Sequence, residues 1–224
     1  MSRSDLSYED WIDYVFDRAV PFYDQPWYLE SDEDWWNPRP EQAIDYLTRL
    51  FENPEPLTEQ FADSQIGQGL HYLVSESVGS YCRFLNDGTV PIEARVACIE
   101  AMRTLFARLF QPRCEPILLH LDEPGGNEIN KICYMWWDIA AVAASSEPRR
   151  RPDPIHEACL SVMRDTLRLP NPACQENALH GLGHWARAYP EFTAATIDAY
   201  LTANPKLRPE LVRYAQAARS GCIQ

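Results

Sequence analysis

Prolines in this chain fall between periodic apolar segments or at their first turn, and this placement most constrains the fold. The chain contains 18 prolines and only 9 glycines, and the first turn is where an α-helix tolerates proline. Strand-like alternation over four or more residues is hard to find, whereas apolar residues recur at helical spacing along the chain. The sequence therefore predicts an all-α protein.

The apolar spacing predicts a first helix over about 8–19, with Ser7 as its N-cap. The other predicted helices begin at or cover these positions: Pro40, 64–74, 77–85, Ile92 to a stop at Pro112, 128–144, Pro154, Pro172, Pro190 and Pro209. Each helix has one apolar stripe that it cannot bury alone. Stacking of successive helix pairs is the arrangement that buries these stripes.

One segment of the sequence resembles a known repeat. From Asn171 the chain reads NPACQENALHGLGHWARAYPEF, which resembles a HEAT or armadillo-type repeat. With IGQGLHYLVSE (66–76), HLDEP (120–124) and CYMWWDI (133–139), it also resembles a family of uncharacterised bacterial HEAT-like proteins. The resemblance implies an α-α superhelix, a solenoid of stacked antiparallel helix pairs, and no activity. A tetratricopeptide array is the alternative left open.

Two parts of the chain differ in composition. Residues 1–39 form an acidic, aromatic segment that is expected to pack on or cap the array, and residues 40–224 are expected to form a single HEAT-like repeat domain. Up to residue 36 there are ten acidic residues and two arginines, so this stretch carries −8 of the chain's net charge of −13. Aromatic residues anchor interfaces, and acidic residues steer basic partners.

This composition favours a non-enzymatic protein–protein interaction module with a basic partner. An immunity-type protein that neutralises a basic toxin is one concrete form of this hypothesis. The first candidate contact residues stand together in the N-terminal segment: Asp32, Glu33, Asp34, Trp35 and Trp36.

The net charge of −13 and a pI near 4.8 argue against nucleic-acid binding, which requires clustered Lys and Arg. The one basic run, Arg149–Arg150–Arg151, stands between prolines and is interpreted as a solvated loop. No apolar run reaches membrane-spanning length, and the first residues lack the pattern of a secretory signal. We therefore expect a cytoplasmic protein that does not bind membranes.

Glu176, His180 and His184 follow at a spacing of four residues, so they share one face of a predicted helix. Histidines at i and i+4 can bind one metal ion, but a further ligand would have to come from elsewhere. The alternative is a polar face in which a histidine is hydrogen-bonded within the array. Gly181 and Gly183 lie in the same helix, where glycine is costly. They predict a close approach, most simply by a neighbouring helix.

Two further groups admit two interpretations each. Adjacent tryptophans on a helix point about 100° apart, so Trp136 and Trp137 are both buried only if their helix is packed on two sides. Otherwise one of them fills the core and the other reaches the concave surface, where Trp137 and Asp138 are the candidate contact residues. His120, Asp122 and Glu123 precede a Pro-Gly-Gly loop. They fix this loop and cap the next helix, or they serve acid/base chemistry.

The preferred interpretation is thus a protein-binding module with no catalytic residues, no metal ligands and no cofactor. The alternatives are an enzyme or metal-binding protein with a polar site on the concave face, and a structural scaffold whose N-terminal aromatics belong to the core.

The seven cysteines form no Cys-x-x-Cys pair and are expected to be buried thiols in a reducing compartment. The oligomeric state is open. The remaining candidate partner-binding residues are Trp137, Asp138, Glu176, His180 and His184.

Overall fold

The computed structural model describes residues 6–20, 26–30, 36–75, 78–79, 81–140, 142 and 149–223, and within these ranges the chain is all-helical without a β-strand. The α-helices, in chain order, are α1 (Tyr8–Phe16), α2 (Trp27–Glu30), α3 (Pro40–Glu52), α4 (Glu55–Gln60), α5 (Asp63–Val74), α6 (Ile92–Leu105), α7 (Gln111–Arg113), α8 (Glu128–Ile139), α9 (Pro154–Thr166), α10 (Pro172–Trp185), α11 (Pro190–Ala203) and α12 (Pro209–Arg219). The predicted all-α class is confirmed.

The helices pack in two rows. One row contains α3, α6 and α9 in contact order, and the other contains α1, α5, α8, α10 and α12. The rows are joined by contacts such as that between α9 and α10, and α11 packs on α10 and α12. Helices that are neighbours within a row come from successive helix pairs. This arrangement is compatible with a helical repeat.

Helix starts follow the predicted proline and cap signals. The last four helices begin at Pro154, Pro172, Pro190 and Pro209. Asn171 caps α10 by accepting the N–H of Ala173 at 2.9 Å, and its amide nitrogen donates to the carbonyl of Cys114 at 2.7 Å. One side chain thus both starts α10 and ties it to the segment that leads towards α8.

Several predicted helix ends differ from the structure. α1 ends at Phe16 instead of residue 19, and α8 ends at Ile139 instead of residue 144. The described part of the predicted helix over 77–85 contains a 3₁₀ turn at Tyr81–Asn86. Helix ends depend on caps and terminal hydrogen bonds, so apolar spacing alone places them poorly.

The helix that begins at Ile92 does not stop before Pro112. One wide turn, Phe106–Phe110, follows α6, and its hydrogen bond runs from the N–H of Gln111 to the carbonyl of Phe106. A proline ring clashes with a carbonyl four residues earlier in a regular α-helix. The wide turn relieves this clash and lets the chain continue into α7.

Trp11 and Trp36 of the N-terminal segment belong to the core. We call the packed group Trp11, Trp36, Tyr46, Tyr72 and Tyr81 the aromatic end. The Trp36 ring is 2% exposed and stacks on the ring of Tyr46 with centroids 5.7 Å apart. The hydroxyl of Tyr81 donates to the carbonyl of Trp36 at 2.9 Å. In this structure the Trp36 side chain therefore contacts the protein interior, which corrects its place among the predicted surface contacts.

Asp32, Glu33, Asp34 and Trp35 lie outside the described residues. The cysteines are all free, and six are buried whereas Cys222 is exposed, as expected for small buried thiols. None of the helices in the described ranges combines the length and the apolar character that crossing a membrane requires.

Candidate functional site

Three polar side chains converge where α8 packs on α10. Asp138, His180 and His184 form a group that we call the Asp–His cluster. One carboxylate oxygen of Asp138 lies 2.7 Å from Nε2 of His180, and the other lies 2.6 Å from Nε2 of His184. The two Nε2 atoms are 3.2 Å apart. Both imidazoles thus direct the same ring nitrogen towards one carboxylate.

The backbone between the two histidines explains this convergence. A Cβ atom at Gly181 would lie 2.6 Å from Cδ1 of Trp137, so only glycine allows α8 and α10 to approach this closely. Gly183 is packed in the same way against Ile223, where a Cβ would lie 2.7 Å from Cδ1. The predicted close approach at both glycines is confirmed. Asp138 follows Trp137 on the helix and is thereby brought to the histidines.

Trp137 itself is buried between the helices. Its indole N–H donates to the amide oxygen of Asn177 at 3.2 Å, and the Asn177 amide nitrogen donates to the carbonyl of Cys133. The ring also stacks parallel to that of Phe106. Trp137 was predicted to reach a binding face; instead it positions α8 on α10. The residue that reaches the surface is its neighbour Asp138.

A tyrosine holds the buried histidine of the cluster. The hydroxyl of Tyr214, on α12, is hydrogen-bonded to Nδ1 of His180. The hydroxyl of Tyr134, on α8, lies 3.4 Å from the Tyr214 hydroxyl. The Tyr134 ring also packs on the His180 ring with centroids 4.5 Å apart. His180 is buried. With Nδ1 engaged by Tyr214, the orientation of His180 is fixed and Nε2 faces Asp138.

Asp138 and His184 shift each other's pKa values towards the charged forms. Burial raises the pKa of the Asp138 carboxyl, but the hydrogen bonds and charges of His180 and His184 outweigh burial and hold this pKa below its ordinary value. The hydrogen bond that His184 donates to the Asp138 carboxylate raises the pKa of His184 above its ordinary value. Burial raises the pKa of Tyr214 far above its ordinary value, so this hydroxyl stays neutral. The cluster therefore holds an ionised carboxylate.

Glu176 belongs to a different contact, although it shares a helix with both histidines. Its carboxylate is 1% exposed and accepts the backbone N–H of Leu119 at 2.9 Å and of His120 at 3.1 Å. It also contacts the His120 ring at Nδ1. Glu176 thus closes the turn that precedes α8 and is not directed at the Asp–His cluster. Its burial, like that of His180, removes it from a surface that a partner could touch.

The His-Leu-Asp-Glu segment fixes a loop, as the first of its two interpretations predicted. The predicted capping of the next helix is wrong, because the side chain of Asn127 caps α8 by accepting the N–H of Asn130 at 2.9 Å. Glu123 accepts the N–H of Leu118 at 2.8 Å and forms an ion pair with Arg208 at the start of α12. The hydrogen bond from Arg208 lowers the pKa of the Glu123 carboxyl. Asp122 adopts a left-handed backbone with φ of 52°. The His120 ring stacks on Tyr214 with centroids 4.1 Å apart, so the loop is connected to the cluster.

The Asp–His cluster has the donor set of a metal centre. The ligand atoms of Asp138, His180 and His184 all lie within 4.8 Å of one another. Ligand atoms around tetrahedral zinc are about 3.3 Å apart for bonds of about 2.0–2.1 Å. The spacing of 3.2 Å between the two Nε2 atoms fits this value, and the carboxylate contacts of 2.7 and 2.6 Å would lengthen by about 0.6–0.7 Å. The side chains of Asp138 and His184 are 20% and 45% exposed, so an ion can enter from solvent.

A second surface lies at the opposite end of the chain. Along α1 the acidic side chains of Glu9 and Asp13 border a groove of about 350 Å³. Ile12 and Leu57 line its apolar part. We call this surface the acidic groove. The outward face of α1 carries the exposed acidic residues Glu9, Asp10 and Asp13, and the exposed Asp17 follows as its C-cap.

No protein-family model, curated protein or solved structure matches the chain.

Proposed function

We propose that this chain is a helical protein that binds one divalent transition-metal ion through Asp138, His180 and His184. The convergence of one carboxylate and two imidazole Nε2 atoms carries the proposal. The contact between Tyr214 and Nδ1 of His180 supports it, because a metal-bound histidine usually donates its other N–H to a partner that fixes the ring. Two histidines and one carboxylate suit zinc and iron(II) among the metals used by proteins.

The number of ligands bears on what the metal does. Structural zinc sites use four protein ligands, whereas three protein ligands leave a position for water or substrate. Asp138 and His184 are partly exposed, which gives an incoming molecule access. This favours the alternative that the sequence left open, an enzyme or metal-binding protein with a polar site on the concave face. A metal at this position would polarise a bound oxygen or lower the pKa of a bound water.

Calorimetric titration of chelator-treated protein with Zn²⁺ tests the proposal. We expect one equivalent of Zn²⁺ to bind to the wild type, and we expect the Asp138→Asn and His184→Ala variants to lose their affinity for Zn²⁺. Tyr214→Phe keeps all three ligands but removes the hydroxyl at His180, so affinity should fall by about 10–100-fold. Tyr200→Phe is the matched control, because Tyr200 is also buried and its hydroxyl donates to Gln175, away from the cluster. Zinc binding that all these variants retain would contradict the proposal.

Protein binding is the second candidate function, with a basic protein such as a toxin as partner. The acidic groove favours it, because acidic residues around an apolar floor attract a basic partner and exclude acidic ones. Affinity capture from cell extract at moderate salt tests it. Charge reversal by Glu9→Lys and Asp13→Lys, or at Asp32, Glu33 and Asp34, should slow association and weaken its salt dependence. Glu157→Lys, an exposed site on α9, is the control. Capture that no reversal changes would contradict it.

The architecture and location form part of the same proposal. A HEAT or armadillo-like array is supported by the two rows of helices and by successive pairs with proline at their starts. The aromatic end supports a capping role for residues 1–39, since a repeat array must cover its terminal apolar face. The seven free cysteines suit a reducing compartment such as the cytoplasm.

A further inference from the structure

A cavity lies beside the Asp–His cluster and shares His184 with it. The cavity has a volume of about 600 Å³ and lies between the end of α10, the start of α11 and the residues after α12. Its polar lining consists of His184, Arg187, Arg219 and Ser220. No carboxylate is among its described lining residues. That composition is unexpected in a chain with a net charge of −13.

The two arginines of the cavity differ in whether they form an ion pair. Arg219 forms two hydrogen bonds with Asp198, at 2.7 and 2.9 Å, which hold its guanidinium in place. Arg187 is exposed and forms no ion pair within the part of the chain that the structure describes. An arginine with free donors can bind an anionic oxygen through two parallel N–H bonds. Arg187 is therefore the residue available to a ligand.

The positive charge extends beyond this cavity. A neighbouring cavity of about 950 Å³ is lined by Arg149, Arg150 and Arg151 together with one acidic residue, Glu191, and both cavities share Pro190. Arg149 is paired with Asp153 at 3.2 Å, which leaves Arg150 and Arg151 as the unpaired charges of the described run. The N–H of Arg149 donates to the carbonyl of Ala188 at 2.9 Å, which fixes the arginine run beside the end of α10. α11 also begins at Pro190, and the positive end of a helix dipole favours anions. Glu191 in the first turn of α11, Asp153 and Asp198 offset part of this charge, and the exposed Arg187, Arg150 and Arg151 leave the corner with an excess of positive charge.

We propose that the cavity lined by His184, Arg187 and Arg219 binds a small anionic ligand through its phosphate or carboxylate oxygens. The ligand would lie next to the metal, because His184 belongs to both sites. This inference rests on the proposed metal site only for the coupling between the ligand and the ion. The binding of the anion itself depends on the cavity and on Arg187. Phosphate is the preferred ligand, because it combines high charge with the geometry that guanidinium groups match.

Calorimetric titration with inorganic phosphate tests this inference, on chelator-treated protein and on protein that carries one equivalent of Zn²⁺. We expect one saturable phosphate site whose affinity is at least several-fold higher with the metal. Arg187→Gln should lower the affinity about tenfold or more. Arg187→Lys should give an intermediate value, because it keeps the charge but not the two parallel donors. Acetate titrations compare carboxylate with phosphate as the preferred oxygen group.

Arg164→Gln is the control, because Arg164 is an exposed arginine like Arg187 and lies on α9 outside the lining of the cavity. Thermal unfolding of each variant verifies that it is folded. The inference is overturned if phosphate does not saturate the protein at concentrations up to about 10 mM, or if binding is the same in Arg187→Gln and Arg164→Gln. Zinc binding without phosphate binding would contradict only the anion site. Arg187-dependent phosphate binding without zinc binding would contradict only the metal site.

Discussion

The two ends of the molecule use the same helix packing to bury opposite kinds of side chain. At the aromatic end, α1, α3 and α5 bury indole and phenol rings, and hydroxyls bond to one another, as Tyr72 and Tyr81 do at 3.0 Å. At the other end, α8, α10 and α12 bury or half-bury His180, Glu176 and Asp138. Buried polar groups stabilise a fold less than apolar ones and require complete hydrogen bonding. The polar end is therefore where function is to be sought.

The largest expected effect is at the aromatic end. Trp36→Ala should lower the free energy of unfolding by about 3–5 kcal/mol, because it removes a buried indole and leaves a cavity between Trp11 and Tyr46. Urea denaturation measures this loss. Leu29→Ala, at an exposed leucine of the same region, should change stability by at most about 0.5 kcal/mol. A Trp36→Ala protein of wild-type stability would return Trp36 to the list of surface contacts.

A smaller loss is expected for Glu176→Gln. The substitution keeps the size of the side chain but removes the charge that accepts two backbone N–H groups and faces His120, so it should cost about 1–3 kcal/mol. Zinc affinity in the same protein should stay within a few-fold of wild type. This variant separates Glu176 from the histidines of its helix. A large loss of zinc affinity without a loss of stability would place Glu176 in the metal site after all.

A pH effect should follow from two histidines outside the cluster. Burial lowers the pKa of His71 and of His156 below the ordinary value of 6.5. Below pH 6.5 the unfolded chain binds more protons than the folded one, so stability should fall as the pH decreases from 6.5 towards the lower folded pKa. Urea denaturation of metal-free protein between pH 7 and pH 5 measures this decline. His71→Gln should flatten it; an unchanged slope would rule His71 out as a contributor.

The smallest effect on stability is expected for His184→Ala in metal-free protein. The His184 side chain is 45% exposed, and its contact with Asp138 leaves the second contact, from His180, in place. We expect a change of about 0.5 kcal/mol or less. Thermal unfolding with and without Zn²⁺ measures it, since bound metal should stabilise the wild type but not the variant. An equally large zinc stabilisation in both would separate His184 from the metal.

The sequence predicted the elements better than the contacts between them. Proline and cap residues placed the starts of α3, α10, α11 and α12, because these signals act within a few residues. Gly181 and Gly183 indicated a close contact for the same local reason. Asp138 was expected to touch a partner, and Tyr134 and Tyr214 were not identified as site residues.

Those omissions have a physical cause. Which side chain of α8 faces His180 depends on the relative register of two helices, and helical periodicity carries no information on that register. Glu176 illustrates the same limit. It has the right spacing to join the histidines, yet the nearby N–H groups of Leu119 and His120 engage it. The contact between the Trp137 side chain and Gly181 fixes how α8 packs on α10. Only the packed structure identifies this pair of residues.

Tyr214 has a consequence for how the last helix opens. Its hydroxyl bonds His180 and its ring stacks on His120, so α12 is attached to the rest of the molecule through a histidine that would become a metal ligand. Parts of a fold can open as separate cooperative units below the free energy of global unfolding. An ion that fixes His180 would also make the opening of α12 less favourable. Amide hydrogen exchange along α12 would then slow when zinc is added, which makes the end of the chain a reporter of occupancy at a distance.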